Sequence, residues 1–151
     1  IEAVSGYAGG KASTADYRLV SSGRTAHAEA VQVYYDPSVI SYETLLEIFF
    51  TAHDPTQLNR QGPDVGTQYR SEIFYHNEEQ KKLAEAKMKE LAPDFSQPIV
   101  TRLSKLEGFY KAEDYHQDYE VNHPDNPYIR NVSRPKIERV AERFKDLLKG
   151  N

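Results

Sequence analysis

The stretch that decides the fold is His27-Ala28-Glu29-Ala30-Val31-Gln32-Val33-Tyr34-Tyr35-Asp36-Pro37, followed closely by Ser41-Tyr42-Glu43-Thr44-Leu45-Leu46. In the first half the side chains alternate. Val31, Val33 and Tyr35 fall on one face and Ala30, Gln32 and Tyr34 on the other, which predicts a strand over Ala28–Tyr35. Asp36-Pro37 ends it. Ser41 then fits an N-cap, since its hydroxyl can accept from a free amide of the first helical turn. Tyr42, Leu45, Leu46 and Phe49 recur at helical spacing until Asp54-Pro55 stops them. The hydrophobic period thus changes from that of a strand to that of a helix across one short connection.

Upstream, Ile1 to Val4 reads as a short strand, Gly6-Tyr7-Ala8-Gly9-Gly10 as a glycine turn, and residues 11–26 as polar loop. Downstream, residues 53–70 read as a long polar loop with two prolines, two glycines and no apolar period. A loop of that length inside a small domain is often functional. Ser71 to Tyr75 is a strand candidate. Asn77 with Gln80 resembles a capping box, and Leu83, Ala84, Lys87 and Leu91 carry a helix to Pro93. Ile99 to Leu103 reads as a strand and residues 104–133 as irregular coil. A last helix has Pro135 near its first turn and Ile137, Val140, Ala141, Phe144, Leu147 and Leu148 on one face, with Gly150 as its stop. These elements imply an α+β domain: a mixed β-sheet with helices packed on it in two layers, plus long irregular coil.

A chain of 151 residues suits one domain over 1–151. No apolar run approaches the roughly 20 residues of a membrane span. The formal net charge of −4 argues against a nucleic-acid partner. The cysteine count is zero, which removes disulfides and thiolate metal sites from these residues. The chain opens at Ile1 inside an extended segment, so a strand and helix are expected to precede it. No secretory signal is visible, and a cytoplasmic monomer is the expectation.

Alternation places Glu29 on the same face as Val31 and Val33, the face expected to meet the core. A carboxyl at the mouth of an apolar face loses water, which raises its pKa and suits it to protonate a neutral oxygen. The spacing equally allows a solvated strand end with Glu29 paired to Arg24. His27-x-Glu29 also resembles part of a metal site, with His53 or His116 as a further ligand. In the 53–70 loop, Asp64 and Tyr69 flank Gly66. A tyrosine hydroxyl can donate to a polarised oxygen and an aspartate can orient a donor, although such a loop can also be scaffold, and His53 at a helix end suits the helix dipole. Tyr17 alone says little. The aromatics of Phe109 to Tyr119 fit a cover over the core better than a ligand platform.

Taken together, GYAGG at 6–10, Tyr17, GRTAHAEAVQVYYDP at 23–37, HDPTQLNRQGPDVGTQYRS at 53–71 and AEDYHQDY at 112–119 resemble, in order, the A-type peptide methionine sulfoxide reductases. The resemblance spans about three quarters of the chain, and the last helix matches only loosely. It implies reduction of the S epimer of methionine sulfoxide, free or in proteins. It implies Glu29 as proton donor to the sulfoxide oxygen, Tyr17 and Tyr69 as its hydrogen-bond donors, and Asp64 as support. Thiol catalysis through a sulfenic acid, no metal or organic cofactor, and a thioredoxin-like reductant follow from the same resemblance, as does a role in protein repair under oxidative stress. The family's nucleophile lies in a Gly-Cys-Phe-Trp motif ahead of the segment that opens this chain, and that motif is absent here. Ser21 stands where many relatives carry cysteine. The alternative is a cysteine-free module that binds oxidised methionine without reducing it.

Overall fold

A computed structural model of the protein describes residues 2–113. The expected helix after Pro135 and the segment from Asp114 to Tyr119 lie outside these residues. Strand β1 (Glu2–Ala8) pairs antiparallel with β2 (Ala28–Tyr34), from Glu2 opposite Tyr34 to Ala8 opposite Ala28. A short strand near residue 110, β7 (Phe109–Lys111), joins the other side of β1, giving the order β2-β1-β7. Two further sheets are two-stranded. β3 (Arg60–Gln61) and β4 (Asp64–Val65) form a hairpin, and β5 (Glu72–Tyr75) runs parallel to β6 (Arg102–Lys105). Three helices accompany them: α1 (Tyr17–Ser21), α2 (Tyr42–Ala52) and α3 (Glu78–Leu91).

The class is α+β, as expected, but the details shift. β1 extends through Gly6-Tyr7-Ala8, so the turn shrinks to Gly9-Gly10. A Cβ at Gly6 would sit 2.4 Å from the Tyr110 carbonyl and equally close to the Phe109 ring, so a side chain is excluded where β7 docks. The expected 11–26 loop contains α1 and a 3-10 turn at Ala12–Thr14. Residues 53–70 hold the β3-β4 hairpin and a 3-10 turn at Thr67–Tyr69. The strand expected over Ile99–Leu103 starts later, because its partner Glu72 meets Arg102. Pairing partners distant in the chain set these boundaries, and no local period reports them.

The helix starts behave as their sequences direct. Ser41 Oγ accepts from Thr44 N at 3.1 Å and Asn77 Oδ1 from Gln80 N at 2.9 Å. Gln80 answers through its side chain, which accepts from His76 N at 2.8 Å. The main core lies between α2, α3 and β5: Leu46, Phe50, Ile73 and Ala84 are buried together, with Tyr42, Phe49, Leu83 and Leu103 packed around them. Lys87 lies on the same face of α3. Its stem is covered while its ammonium bridges Glu47 of α2 at 3.3 Å and Glu90 at 3.0 Å. A smaller core of Tyr7, Val20 and Ala112 fastens α1 to the first sheet.

One packing expectation fails. Val31 and Val33, predicted to face the core, are exposed at 59% and 37%. Among the described residues β2 is an edge strand, and the more covered side of this sheet is the opposite one, which carries Ala28 of β2 and Gly6 and Ala8 of β1, while Tyr7 is buried on Glu29's own side. Alternation identified two faces but could not say which one the rest of the chain covers.

Phe50→Ala is expected to destabilise the protein by about 3–5 kcal/mol, the usual consequence of emptying an aromatic site in a closed core. Urea unfolding followed by circular dichroism measures it. A loss below about 1 kcal/mol would show that α2 and α3 do not share a tight core.

Candidate active site

The β1-β2 register places Glu29 opposite Tyr7, one residue inward from the Ala8–Ala28 pair that ends the ladder at the glycine turn. Two residues before Glu29, His27 is fully buried and fixed at both nitrogens. Nδ1 accepts from Gly10 N at 3.2 Å, and Nε2 lies 2.8 Å from Lys11 O, which requires Nε2 to carry the proton. The ring meets Tyr110 edge-on, with centroids 5.6 Å apart, and a Cβ at Gly10 would intrude on it at 2.8 Å. His27 therefore has no nitrogen to offer a metal. It latches the glycine turn to β2, a structural part that the sequence also allowed to be a ligand. His53 is engaged similarly. Nδ1 reaches Phe49 O and Nε2 reaches Ser71 Oγ, both at 2.6 Å, tying the end of α2 to the start of β5.

Glu29 keeps access to solvent, yet the protein around its carboxyl displaces enough water to raise its pKa from 4.5 to about 6. Desolvation is the larger cause and the negative charge of Asp64 the second. The described residues contain no Glu29–Arg24 ion pair, while Glu29 itself stands exposed near the start of β2. Asp64 comes from the β3-β4 hairpin, whose base is closed by Gly66 N donating to Asn59 O at 2.9 Å. Tyr69 ends the 3-10 turn that follows. Its pKa is raised by desolvation first, then by the charges of Glu29 and Asp64 and the proximity of Tyr17, with a smaller opposing contribution from Gln68. Tyr69 thus lies within electrostatic reach of Glu29 from β2, Asp64 from the β3-β4 hairpin and Tyr17 from α1.

Tyr17 opens α1, where Asp16 Oδ1 caps Leu19 N at 2.8 Å. Its own amide donates to Glu113 Oε1 at 3.1 Å, and Tyr7 Oη donates to the other carboxylate oxygen at 3.2 Å. Gln68, buried beside Tyr69, donates through Nε2 to Ser21 O at 3.2 Å and so fastens the Tyr69 turn to the end of α1. Ser21 takes part there through its backbone. A Cβ at Gly66 would lie 2.2 Å from Gln68 Oε1, and Gly66 has φ 144°, so glycine is required on both counts. Glu113, Gln68 and Arg70 are the residues that sequence reasoning passed over. Each lies inside a quoted motif, but nothing in spacing distinguishes a supporting side chain from its neighbours. A cavity of about 470 Å³ between the ends of α2 and α3, lined by Glu47, Phe50, His53, Asp54, Leu91 and Phe95 among others, contains none of the four site residues. Among the described residues the site is an open shelf beside the first sheet, with Tyr17 and Glu29 exposed and Asp64 and Tyr69 half-buried.

This arrangement offers a neutral acid at moderate pH beside two phenol donors, a set suited to receiving and protonating a polar oxygen. A family model described as peptide methionine sulfoxide reductase matches residues 1–148. A peptide methionine sulfoxide reductase MsrA of Thermus thermophilus is 53% identical over 149 residues, covering 99% of this chain and 85% of that protein. Among solved structures, reduced Mxr1 from Saccharomyces cerevisiae superposes with a TM-score of 0.79 at 39% identity, covering 82% of this chain and 72% of its own. Mxr1 in complex with Trx2 gives 0.52 at 29% identity, covering 74% and 61%.

The raised pKa of Glu29 has a stability consequence. Below about pH 4.5 the carboxyl is neutral folded and unfolded, and contributes nothing. Above about pH 6 the folded protein must hold a charge that the unfolded chain carries more easily. Glu29→Gln should therefore stabilise the protein above pH 6, by about 0.5–1 kcal/mol after allowance for solvent screening, with the gain vanishing below pH 4.5. Thermal denaturation at about pH 4 and about pH 7.5 tests this. A gain that is equal at both would remove the case for a desolvated carboxyl.

Proposed function

The chain belongs to the peptide methionine sulfoxide reductases, a family of oxidoreductases, and from that premise we propose that Glu29 protonates the oxygen of methionine S-sulfoxide while a thiol from outside these 151 residues takes that oxygen from sulfur. The observation that carries this reading is the Glu29 carboxyl with its pKa of about 6, in mutual electrostatic reach of Asp64, Tyr69 and, through Tyr69, Tyr17. A sulfoxide oxygen is a poor base and sulfur a poor electrophile until that oxygen gains a proton. Glu29 supplies the proton, and Tyr17 and Tyr69 hold the oxygen. Tyr69 is suited to donating because its raised pKa keeps it protonated at every working pH. Asp64 sustains the raised pKa of Glu29 by repelling its ionised form.

The atoms balance simply. A thiolate attacks the sulfoxide sulfur as Glu29 protonates its oxygen, the oxygen is transferred from the methionine sulfur to the thiol sulfur as the transient sulfur–sulfur bond breaks, and the products are a sulfenic acid carrying that proton and methionine with its thioether restored. A second thiol condenses with the sulfenic acid, releasing water and forming a disulfide, which an external dithiol reduces. Mxr1 forms a complex with Trx2, and this supports a thioredoxin-like reductant for this protein too. None of these thiols is among the 151 residues, which contain no cysteine. The uncovered valines beside Glu29 support a place for the thiol-bearing segment: Val31 and Val33 share Glu29's face and offer it apolar surface.

The same lack of cysteine favours a second reading, a module that binds oxidised methionine and stops there. The two separate in a thiol-bearing form of the protein, where turnover supports the first reading and binding without turnover the second. The purified 151-residue polypeptide, given methionine sulfoxide with no added thiol, should form no methionine. Stoichiometric product from it would defeat the requirement for a thiol. In the thiol-bearing protein, Glu29→Gln should lower the single-turnover rate by about 100-fold or more. The unsubstituted enzyme should lose its acid-dependent rate about tenfold per pH unit above pH 6. An E29Q enzyme with an undiminished rate across that range would mean that the proton comes from elsewhere.

A further inference from the structure

We propose that Arg70 is the positioning residue of this site: its guanidinium locks the start of β2, which carries Glu29, to the turn that carries Tyr69. The proposal rests on the reading of Glu29 and Tyr69 as the groups that meet the sulfoxide oxygen, and it adds what holds them in place.

Arg70 spends three directional N–H groups on three different parts of the chain. Nη2 donates to Ala26 O at 2.9 Å, at the run-in to β2 just ahead of Glu29. Nη1 donates to Thr67 O at 2.9 Å, the first residue of the 3-10 turn that ends in Tyr69. Nε donates to Glu72 Oε1 at 2.5 Å, on β5. Glu72 is held in turn by Ser104 Oγ of β6, which donates to its other oxygen. The Arg70 and Glu72 side chains are 9% and 3% exposed, so the pair is closed off from water and its geometry is fixed. The glycine turn makes room for it. Gly9 has φ 99°, and a Cβ there would come within 2.9 Å of Nη2 and 3.2 Å of Ala26 O.

The result is a rigid fork spanning the β5-β6 pair, the Tyr69 turn and the start of β2. The Arg70 guanidinium is the group that bonds both the run-in at Ala26 and the turn at Thr67, and without it the shelf between them can open. Lysine cannot replace it, because an ammonium is a point charge and lacks the planar fork that reaches two carbonyls and a carboxylate together. Arg70 acts on Glu29 through position, since the raised Glu29 pKa owes itself to desolvation and to the charge of Asp64. Moving the fork admits water and parts Glu29 from Asp64, both of which let the carboxyl ionise more easily.

The test is a carbon-13 NMR titration of the Glu29 carboxyl in the protein carrying Arg70→Lys, a change that preserves charge. A folded R70K protein should titrate Glu29 about half a pH unit or more below the unsubstituted protein. If R70K does not fold, Gly9→Ala, which crowds Nη2 from the other side, should give the same downward shift. An unchanged Glu29 midpoint in the folded variant would overturn the proposal, because a merely structural arginine would alter stability and leave this titration alone. Failure of the acid reading shows elsewhere, as an undiminished single-turnover rate in E29Q, so the two can fail independently.

Discussion

The pairing of β1 with β2 is the constraint on which the rest of the structure depends. It sets Tyr7 opposite Glu29 and brings the Gly9-Gly10 turn over the buried His27 imidazole, whose two nitrogens hold Gly10 and Lys11. β7 can join only where Gly6 leaves space, and β7 leads to Glu113, which receives the amide of Tyr17. A slip of one residue in this pairing would turn Glu29 to the opposite face and carry the acid out of reach of Asp64 and Tyr69. The chemistry of the shelf is therefore a consequence of strand register.

Much of this was legible in the residues themselves. Ser41, Asn77 and the alternation of 28–34 act locally, so the helix starts and β2 follow from their own neighbourhoods. What depends on distant partners was not legible. β7 exists because Gly6 to Ala8 recruit it, and the hairpin of residues 60–65 is only two residues per strand, too short to show a period. The exposure of Val31 and Val33 has the same origin, since alternation separates faces without saying which one becomes covered. His27 shows the limit most clearly. Its spacing from Glu29 suits a ligand, and only the packing of Gly10 and Tyr110 around the ring makes it a latch.

The candidate site was legible in a different way. Motifs gathered Tyr17, Glu29, Asp64 and Tyr69 into one hypothesis, and the fold brings the other three within electrostatic reach of Tyr69. The supporting layer of Arg70, Gln68 and Glu113 was silent, because each works by bonding backbone groups that any residue could present. Such a layer is what lets an open, solvent-reaching shelf hold a carboxyl with a displaced pKa. Burial alone could raise that pKa further, but it would also close the carboxyl off from any ligand.

The central claim is that Glu29 holds its proton to a higher pH than an ordinary glutamate, so that half of it is still a neutral acid at about pH 6. Infrared difference spectroscopy across pH, with the E29Q spectrum subtracted, reads the protonated carboxyl directly. A neutral carboxyl band should fall to half its height at about pH 6. A band already lost by about pH 5, the behaviour of an ordinary solvated glutamate, would contradict the claim.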